Sequence, residues 1–543
     1  MRILLITLGL LGLVACSNQP TEQTTSDYAV AMPDKFGAQV AMDVLEQGGN
    51  AVDAAIAAAA AIMIAEPVSN GLGSDCFAIV WDGQRLEGLN ASGTAPALWD
   101  QAWFDRHHEG RIPMRGWGAV TVPGAVGGWA ALHERYGSLP FEELLAPAIE
   151  LARRGYGVTP VVNRKWSAQV EALKAQPGFA QTFLPHGRAP HIGERFCMPA
   201  AARTLERIAK TRGRDFYEGE TAAALVAHAK AHGGALREND LRDWRPDWVG
   251  TISREYHGVS LHEIPPNGQG IAALMALGIL SHFDLPSLPV DSVESRHLQI
   301  EAMKAAFSEV YRHVADPRYM TQVTAADLLD DNRLASLAQR INSKQATDFE
   351  HKLPPPGGTI YLTAADERGM MISFIQSNYM GFGSGVVVPD VGVSLQNRGY
   401  GFSMDPSHPN HVAPNKRPFH TIIPAFLMRD GQPQMSFGVM GGNMQPQGHL
   451  QTLVRMIDYH QNPQAACDAP RWKVNRGLAV DVETSMEPQV VEGLRKLGHS
   501  LEPLIDPYMD FGAGQFIWRL SDSLEDGYVA ASDSRRDGAA VGF

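Results

Sequence analysis

Apolar and polar positions recur with two different periods along this chain, and the change of period divides it. From Phe36 to Leu45 the apolar residues fall at helical spacing, and Gly48-Gly49 breaks the pattern. Asn50 then reads as a helix N-cap, with Asp53 placed to complete a capping box. Ala51 to Ile64 is so rich in alanine that it predicts a helix packed closely on all sides, which Pro67 stops. Phe77 to Trp81 follows a glycine turn and predicts a strand. Residues 140 to 320 read mostly as helices, and helical spacing is clearest over Phe141–Arg154 and Glu294–His313.

The period then shortens. Pro354-Pro355-Pro356 cannot extend a helix or a central strand and reads as an exposed connector closing the stretch from 343. Gly357-Gly358 strips side-chain bulk from the next peptide bond. A β-prone run from Thr359 to Ala365, the turn Asp366-Glu367-Arg368-Gly369 and a second run from Met370 to Gln376 predict a hairpin with a four-residue loop. In the register where Ala365 faces Met370, Thr359 faces Gln376 and lies beside Ser377. The rest of the chain is rich in strands and loops.

That hairpin carries candidate chemistry. The Thr359 hydroxyl is placed to attack the carbonyl of Gly358 and split the chain by an N-to-O acyl shift. The new chain would begin with Thr359, whose free α-amine serves as base for its own hydroxyl. Such an amine has an ordinary pKa of about 7.7–8.0, close to working pH. Read alone, Gly357-Gly358-Thr359 is more simply a glycine turn opening an ordinary hairpin, and only the rest of the chain reverses that reading.

Composition narrows the partners. The chain has 543 residues, 44% of them hydrophobic, and a net charge of −13 with no basic stripe, which argues against a nucleic-acid partner. Arg2 followed by the apolar run Ile3 to Leu13 reads as an export signal, too short to span a bilayer comfortably. Leu13-Val14-Ala15-Cys16 resembles a bacterial lipobox. It predicts a signal peptide over 1–15, a lipid on Cys16, and a polar tether over 16–27. Ser17 after the cysteine points to the outer membrane, facing the periplasm; the plainer alternative is a secretory signal with an incidental cysteine. Cys76, Cys197 and Cys467 are odd in number and widely spaced, so neither a disulfide framework nor a zinc site is indicated. His297, Glu301 and His313 lack a His-x-x-x-His pair and read as structural. The glycines near residue 71 lack the Gly-x-x-x-x-Gly-Lys pattern of a phosphate loop. No metal or cofactor is expected.

Five stretches together give a resemblance. Glu46 to Ala55, Thr121-Val122-Pro123-Gly124, Phe382 to Val386, Pro414 to Pro418 and Gly441-Gly442 resemble, in order, the γ-glutamyltransferase family of N-terminal-nucleophile hydrolases. Ser377 to Phe382 and Gly448-His449 resemble a branch distinct from the best-known glutathione-cleaving members. The resemblance implies an α+β fold, a four-layer αββα sandwich, built from a large piece over 28–358 and a small piece over 359–543 that stay associated after self-cleavage. It implies Thr359 as nucleophile, Ser377 orienting it, and the Gly441 and Gly442 N–H groups as oxyanion hole. Tyr379, Arg398, His420 and Thr421 form the expected substrate-binding set. The substrate would be a γ-glutamyl or related small-molecule amide, with water or an amine as acceptor.

Two family features are missing. The arginine that holds the substrate carboxylate aligns with Ser92 or Thr94, and the nearest arginines in sequence are Arg85 and Arg115. The acid that meets the α-ammonium aligns with Gly401, while Arg398 brings a cation into that loop. Arg398 is either a surface salt bridge or a fork for a substrate carboxylate. His420 is either a polar contact or a satisfied structural histidine. These departures leave a glutaryl-type acylase on the same machinery, and an unprocessed binding lipoprotein, as alternatives. Asp533 to Gly538 matches the family's C-terminal signature and reads as structural.

Overall fold

A computed structural model describes residues 26–350, 357–504 and 511–542. Cys16 and Pro354-Pro355-Pro356 lie outside the described residues. The chain is a mixed helix-and-sheet protein with two principal sheets. One runs in the order 539–542, 29–32, 358–365, 371–379, 75–81, 86–91, 247–248, and the second in the order 528–532, 514–519, 432–439, 425–429, 259–263, 252–256.

Strand alternation sorts the core. Ile360, Leu362, Ala364, Ile372 and Phe374 pack with the helices at Lys35–Glu46, Ala51–Ala65 and Phe141–Arg154. Their neighbours Tyr361, Ala365, Met371 and Ile375 point the other way and meet Ile422, Phe426 and Ile517. Beyond these, Leu261, Leu427, Met435 and Phe437 pack against the helices Ile271–Leu280 and Val293–His313.

The helix over Ala51–Ala65 is buried at every position and opens on the expected capping box, Asn50 accepting from the Asp53 N–H and Asp53 from the Asn50 N–H. Asp53 also accepts from the N–H groups of Ser138 and Leu139, so the cap ties two segments together. The helix Phe141–Arg154 has the predicted bounds and tolerates Pro147. The stretch 140–320 is less uniformly helical than its sequence predicts. Ile252–Tyr256 and Val259–Glu263 form strands of the second sheet, the latter with strict buried–intermediate alternation.

The central hairpin forms, with its register displaced by one residue. Ala365 pairs with Met371, and Gln376 pairs with Ile360 instead of Thr359. The Asp366 carboxylate causes the difference. It accepts from the N–H groups of Arg368 and Met370 and stretches the loop by a residue before Gly369, at φ 84°, turns it back. The ladder is interrupted after Gln376, and Tyr379 then opposes Gly358.

Candidate active site

Thr359 lies one residue into the strand Gly358–Ala365, buried, with its hydroxyl 3.4 Å from Ser377 Oγ. Ser377 sits where the ladder breaks, on the rung opposite Asp75 of the strand Asp75–Trp81. Its hydroxyl donates to Gly358 O at 2.7 Å and accepts from the Tyr379 N–H and from Arg398 Nη2, both at 2.8 Å. One side chain therefore touches the hydroxyl on one side of the Gly358–Thr359 peptide and the carbonyl on the other. Gln445 Nε2 reaches Thr359 Oγ1 from the far side at 3.4 Å.

Arg398 is not at the surface. It is 1% exposed, donates through Nη1 to Thr421 Oγ1 at 2.7 Å, and lies over the Tyr379 ring at 4.6 Å. The surface salt bridge is thereby excluded. Both Nη groups of its fork are occupied by hydroxyls, and its Nε has no hydrogen-bond partner among the described residues. Burial pulls its pKa down to about 10, against the opposing pull of Asp75. Tyr379, at φ 78°, holds a strained left-handed backbone that aims its N–H at Ser377.

His420 is fully buried, its Nε2 3.1 Å from Asp75 Oδ2 and its ring edge-on to Phe77. Burial, with Arg398 and Arg417 nearby, keeps the imidazole well below its ordinary pKa. Burial raises Asp75 to about 7, although Arg398 and the N–H groups of Gly93 and Gly124 oppose this. Gly124 thus places the Thr121-Val122-Pro123-Gly124 stretch against the site, since its N–H donates to Asp75 Oδ1.

Gly441 and Gly442 adopt φ 115° and φ 60°, backbone that favours glycine, and lead into the helix Met444–Leu453, whose first turn carries Gln445 to Thr359. Gln269 ties this turn to the Thr421 segment, donating to Thr421 O at 2.6 Å and Gly442 O at 2.9 Å. This puts the loop 265–270 beside the site.

The missing arginine has a structural counterpart, and the missing acid a structural reason. Arg417, remote in sequence, donates to Ser92 O at 3.0 Å, so an arginine does reach that position, where Asp247 pairs with it. Arg85 instead pairs with Asp82 and Glu87, and Arg115 holds Gly381 O. At Gly401 an added Cβ would lie 2.7 Å from Phe419 O, so the backbone leaves no room for an acidic side chain there.

His297 and Glu301 come together with His499, within 4.8 Å, while His313 is not in the group. Lys304 already sits on the Glu301 carboxylate, which makes the set a buried ion cluster. At the C-terminal signature, Asp533 accepts from Arg471 and the Gly514 N–H and packs the sheet edge.

Asp75, Gln445 and Gln269 were not singled out from sequence. For Gln445 a signal existed, three residues beyond the glycine pair and at the start of a helix.

The family and structural neighbours matched by the chain are N-terminal-nucleophile hydrolases. The chain belongs to the γ-glutamyltranspeptidase family, whose profile matches residues 37–543. The glutathione hydrolase-like YwrD proenzyme of Bacillus subtilis (strain 168) is 34% identical over 525 residues, covering 95% of this chain and 98% of that protein. The oxamate amidohydrolase proenzyme of Klebsiella pneumoniae subsp. pneumoniae is 36% identical over 534 residues, covering 96% and 99%. The crystal structure of cephalosporin acylase from Bacillus halodurans superposes with a TM-score of 0.91 at 42% identity, covering 99% of each chain. The chain is an enzyme of this family, whose members here are glutathione hydrolases and acylases.

Proposed function

We propose that the chain is a self-cleaving amide hydrolase or acyltransferase that uses Thr359 as its nucleophile. The observation that carries this reading is the position of the Ser377 hydroxyl, 2.7 Å from Gly358 O and 3.4 Å from Thr359 Oγ1. In the precursor, Thr359 Oγ1 bonds to the Gly358 carbonyl carbon. Its proton passes to Ser377 Oγ while Ser377 gives its own to the carbonyl oxygen. Collapse breaks the C–N bond, and the hydroxyl proton moves to the Thr359 nitrogen. Water then hydrolyses the ester to a Gly358 carboxyl group and the Thr359 hydroxyl, leaving Thr359 with a free amine at the new N-terminus.

In the processed enzyme this amine takes the hydroxyl proton as Thr359 attacks a substrate amide. The Gly441 and Gly442 N–H groups meet the oxyanion, and the acyl group passes to water or an amine. The large piece over 28–358 and the small piece over 359–543 remain joined across the hairpin sheet. A four-layer αββα order is supported by three core clusters, two of helices on a sheet and one between the sheets.

The substrate is an amide of a small acyl group. Its carboxylate is favoured and an α-ammonium disfavoured, because Arg398 lies beside Ser377 and Gly401 has no room for an acid. Relatives named as a cephalosporin acylase and an oxamate amidohydrolase support this reading, while others are named as glutathione hydrolases. We place the protein at the outer membrane, facing the periplasm, on a lipid carried by Cys16. Among the described residues no helix is long and apolar enough to cross a membrane. Mass-spectrometric mapping of a trapped acyl-enzyme tests the nucleophile. Acyl on the Thr359 hydroxyl is expected, and acyl on any other residue would refute it.

A further inference from the structure

Beneath Gly358, opposite Ser377, lies a second polar group that the mechanism above does not use. Ser69 is fully buried in the turn that follows the helix Ala51–Ala65. Its hydroxyl donates to Glu66 Oε1 at 2.6 Å. Lys165, from the helix Pro160–Leu173, donates to the same oxygen at 2.6 Å and stands 3.5 Å from Ser69 Oγ. All three side chains are buried.

The Ser69 turn borders the scissile bond. A Cβ on Gly358 would lie 3.5 Å from Ser69 Oγ and 3.7 Å from its Cα, so Ser69 bounds the side of Gly358 from which a side chain would project and leaves space there for about one methyl group. On the other side, a Cβ on Gly357 would lie 2.6 Å from Tyr379 O. The same turn fixes the strand end that carries Ser377, since the Asn378 N–H donates to Ser69 O at 3.0 Å and the Phe382 N–H to Val68 O at 2.7 Å. The Gly357-Gly358 segment therefore lies between a large-piece turn and the strained Tyr379 segment, which pairs with Gly358.

The ion pair makes this border rigid. With its proton held by Glu66, the Ser69 hydroxyl has a single direction, and the Lys165 ammonium keeps the carboxylate in place. Reacting groups held within contact range gain most of their rate from such positioning, and a shift of about 1 Å can cost about a hundredfold.

We propose that Ser69, locked by Glu66 and Lys165, is a positioning residue for self-cleavage, seating Gly358 so that Thr359 Oγ1 reaches its carbonyl. The inference rests on the self-cleavage reading and adds residues from the large piece to it.

The experiment follows the cleavage of purified precursor with time on denaturing gels, for the wild type, Ser69→Ala, Lys165→Arg and the charge-neutral double variant Glu66→Gln/Lys165→Met. The double variant avoids an unpaired buried charge. Melting temperatures are read in parallel on a Thr359→Ala background that stays whole. The expected result is at least about tenfold slower cleavage in Ser69→Ala and the double variant, near-normal cleavage in Lys165→Arg, and no matching order in the melting temperatures. Wild-type rates in Ser69→Ala, or slowing that follows melting temperature with no rescue by arginine, would overturn the proposal. A wild type that never cleaves at Gly358 would instead defeat the self-cleavage reading.

Discussion

Ser377 Oγ lies 2.8 Å from Arg398 Nη2, so a fully buried guanidinium stands one hydroxyl away from Thr359. This couples two properties, the state of the Ser377 hydroxyl and the charge that an acyl group meets. With the arginine donating to Ser377, the serine's own proton is directed at Gly358 O.

Ser377→Ala removes the group that touches both ends of the scissile bond. We expect precursor cleavage to slow by about 10²–10³-fold, the cost typical of losing one donor to a developing oxyanion. A time course of the precursor band checks this. Cleavage within about threefold of wild type would mean that Ser377 is not the donor.

Arg398→Gln tests specificity. Removing the cation should favour the γ-glutamyl group over the glutaryl group by about tenfold or more in relative kcat/KM. Both groups carry the carboxylate, so the ratio reads the cation's repulsion of the α-ammonium, about 1 kcal/mol for unit charges about 4 Å apart in water and about 4 kcal/mol near a protein surface. The wild type should favour the glutaryl anilide. An unchanged ratio in the variant would show that Arg398 does not face the acyl group.

Asp75 gives a pH dependence whose sign is fixed. Its carboxyl is raised to about 7 by burial, so the folded chain holds the proton more tightly than the unfolded chain does. The stability this confers is fully present below about pH 4 and is lost as pH climbs through about 7. Asp75→Asn imitates the protonated form. On a Thr359→Ala background its melting temperature should therefore gain on the parent's between pH 5 and pH 8. A constant difference across that range would contradict the assignment.

Membrane placement rests on Cys16 alone. Cys16→Ser should release the protein from the membrane fraction into the soluble periplasmic fraction. Full retention on membranes would rule out a lipid anchor at that cysteine.

Local patterns were legible in sequence where neighbours along the chain settle them. The Asn50–Asp53 cap and the helix Phe141–Arg154 are such cases. The hairpin was legible to within one residue, because the Asp366 carboxylate chooses the loop length through hydrogen bonds that spacing does not reveal. Arg398 was legible as a candidate, but its burial and contacts were not. Its partners Ser377 and Thr421 lie about twenty residues away on either side, and only the folded sheet brings them together. Arg417 at Ser92 is the same kind of contact, made across 325 positions. The absent acid at Gly401 was visible as a letter, whereas the Phe419 carbonyl that closes the space was not.

The most direct test of the central claim is N-terminal sequencing of the two pieces of purified protein, beside the Thr359→Ala variant. The smaller piece should begin at Thr359, and the variant should stay whole and inactive. A smaller piece with another first residue, or a variant that still breaks between Gly358 and residue 359, would contradict that claim.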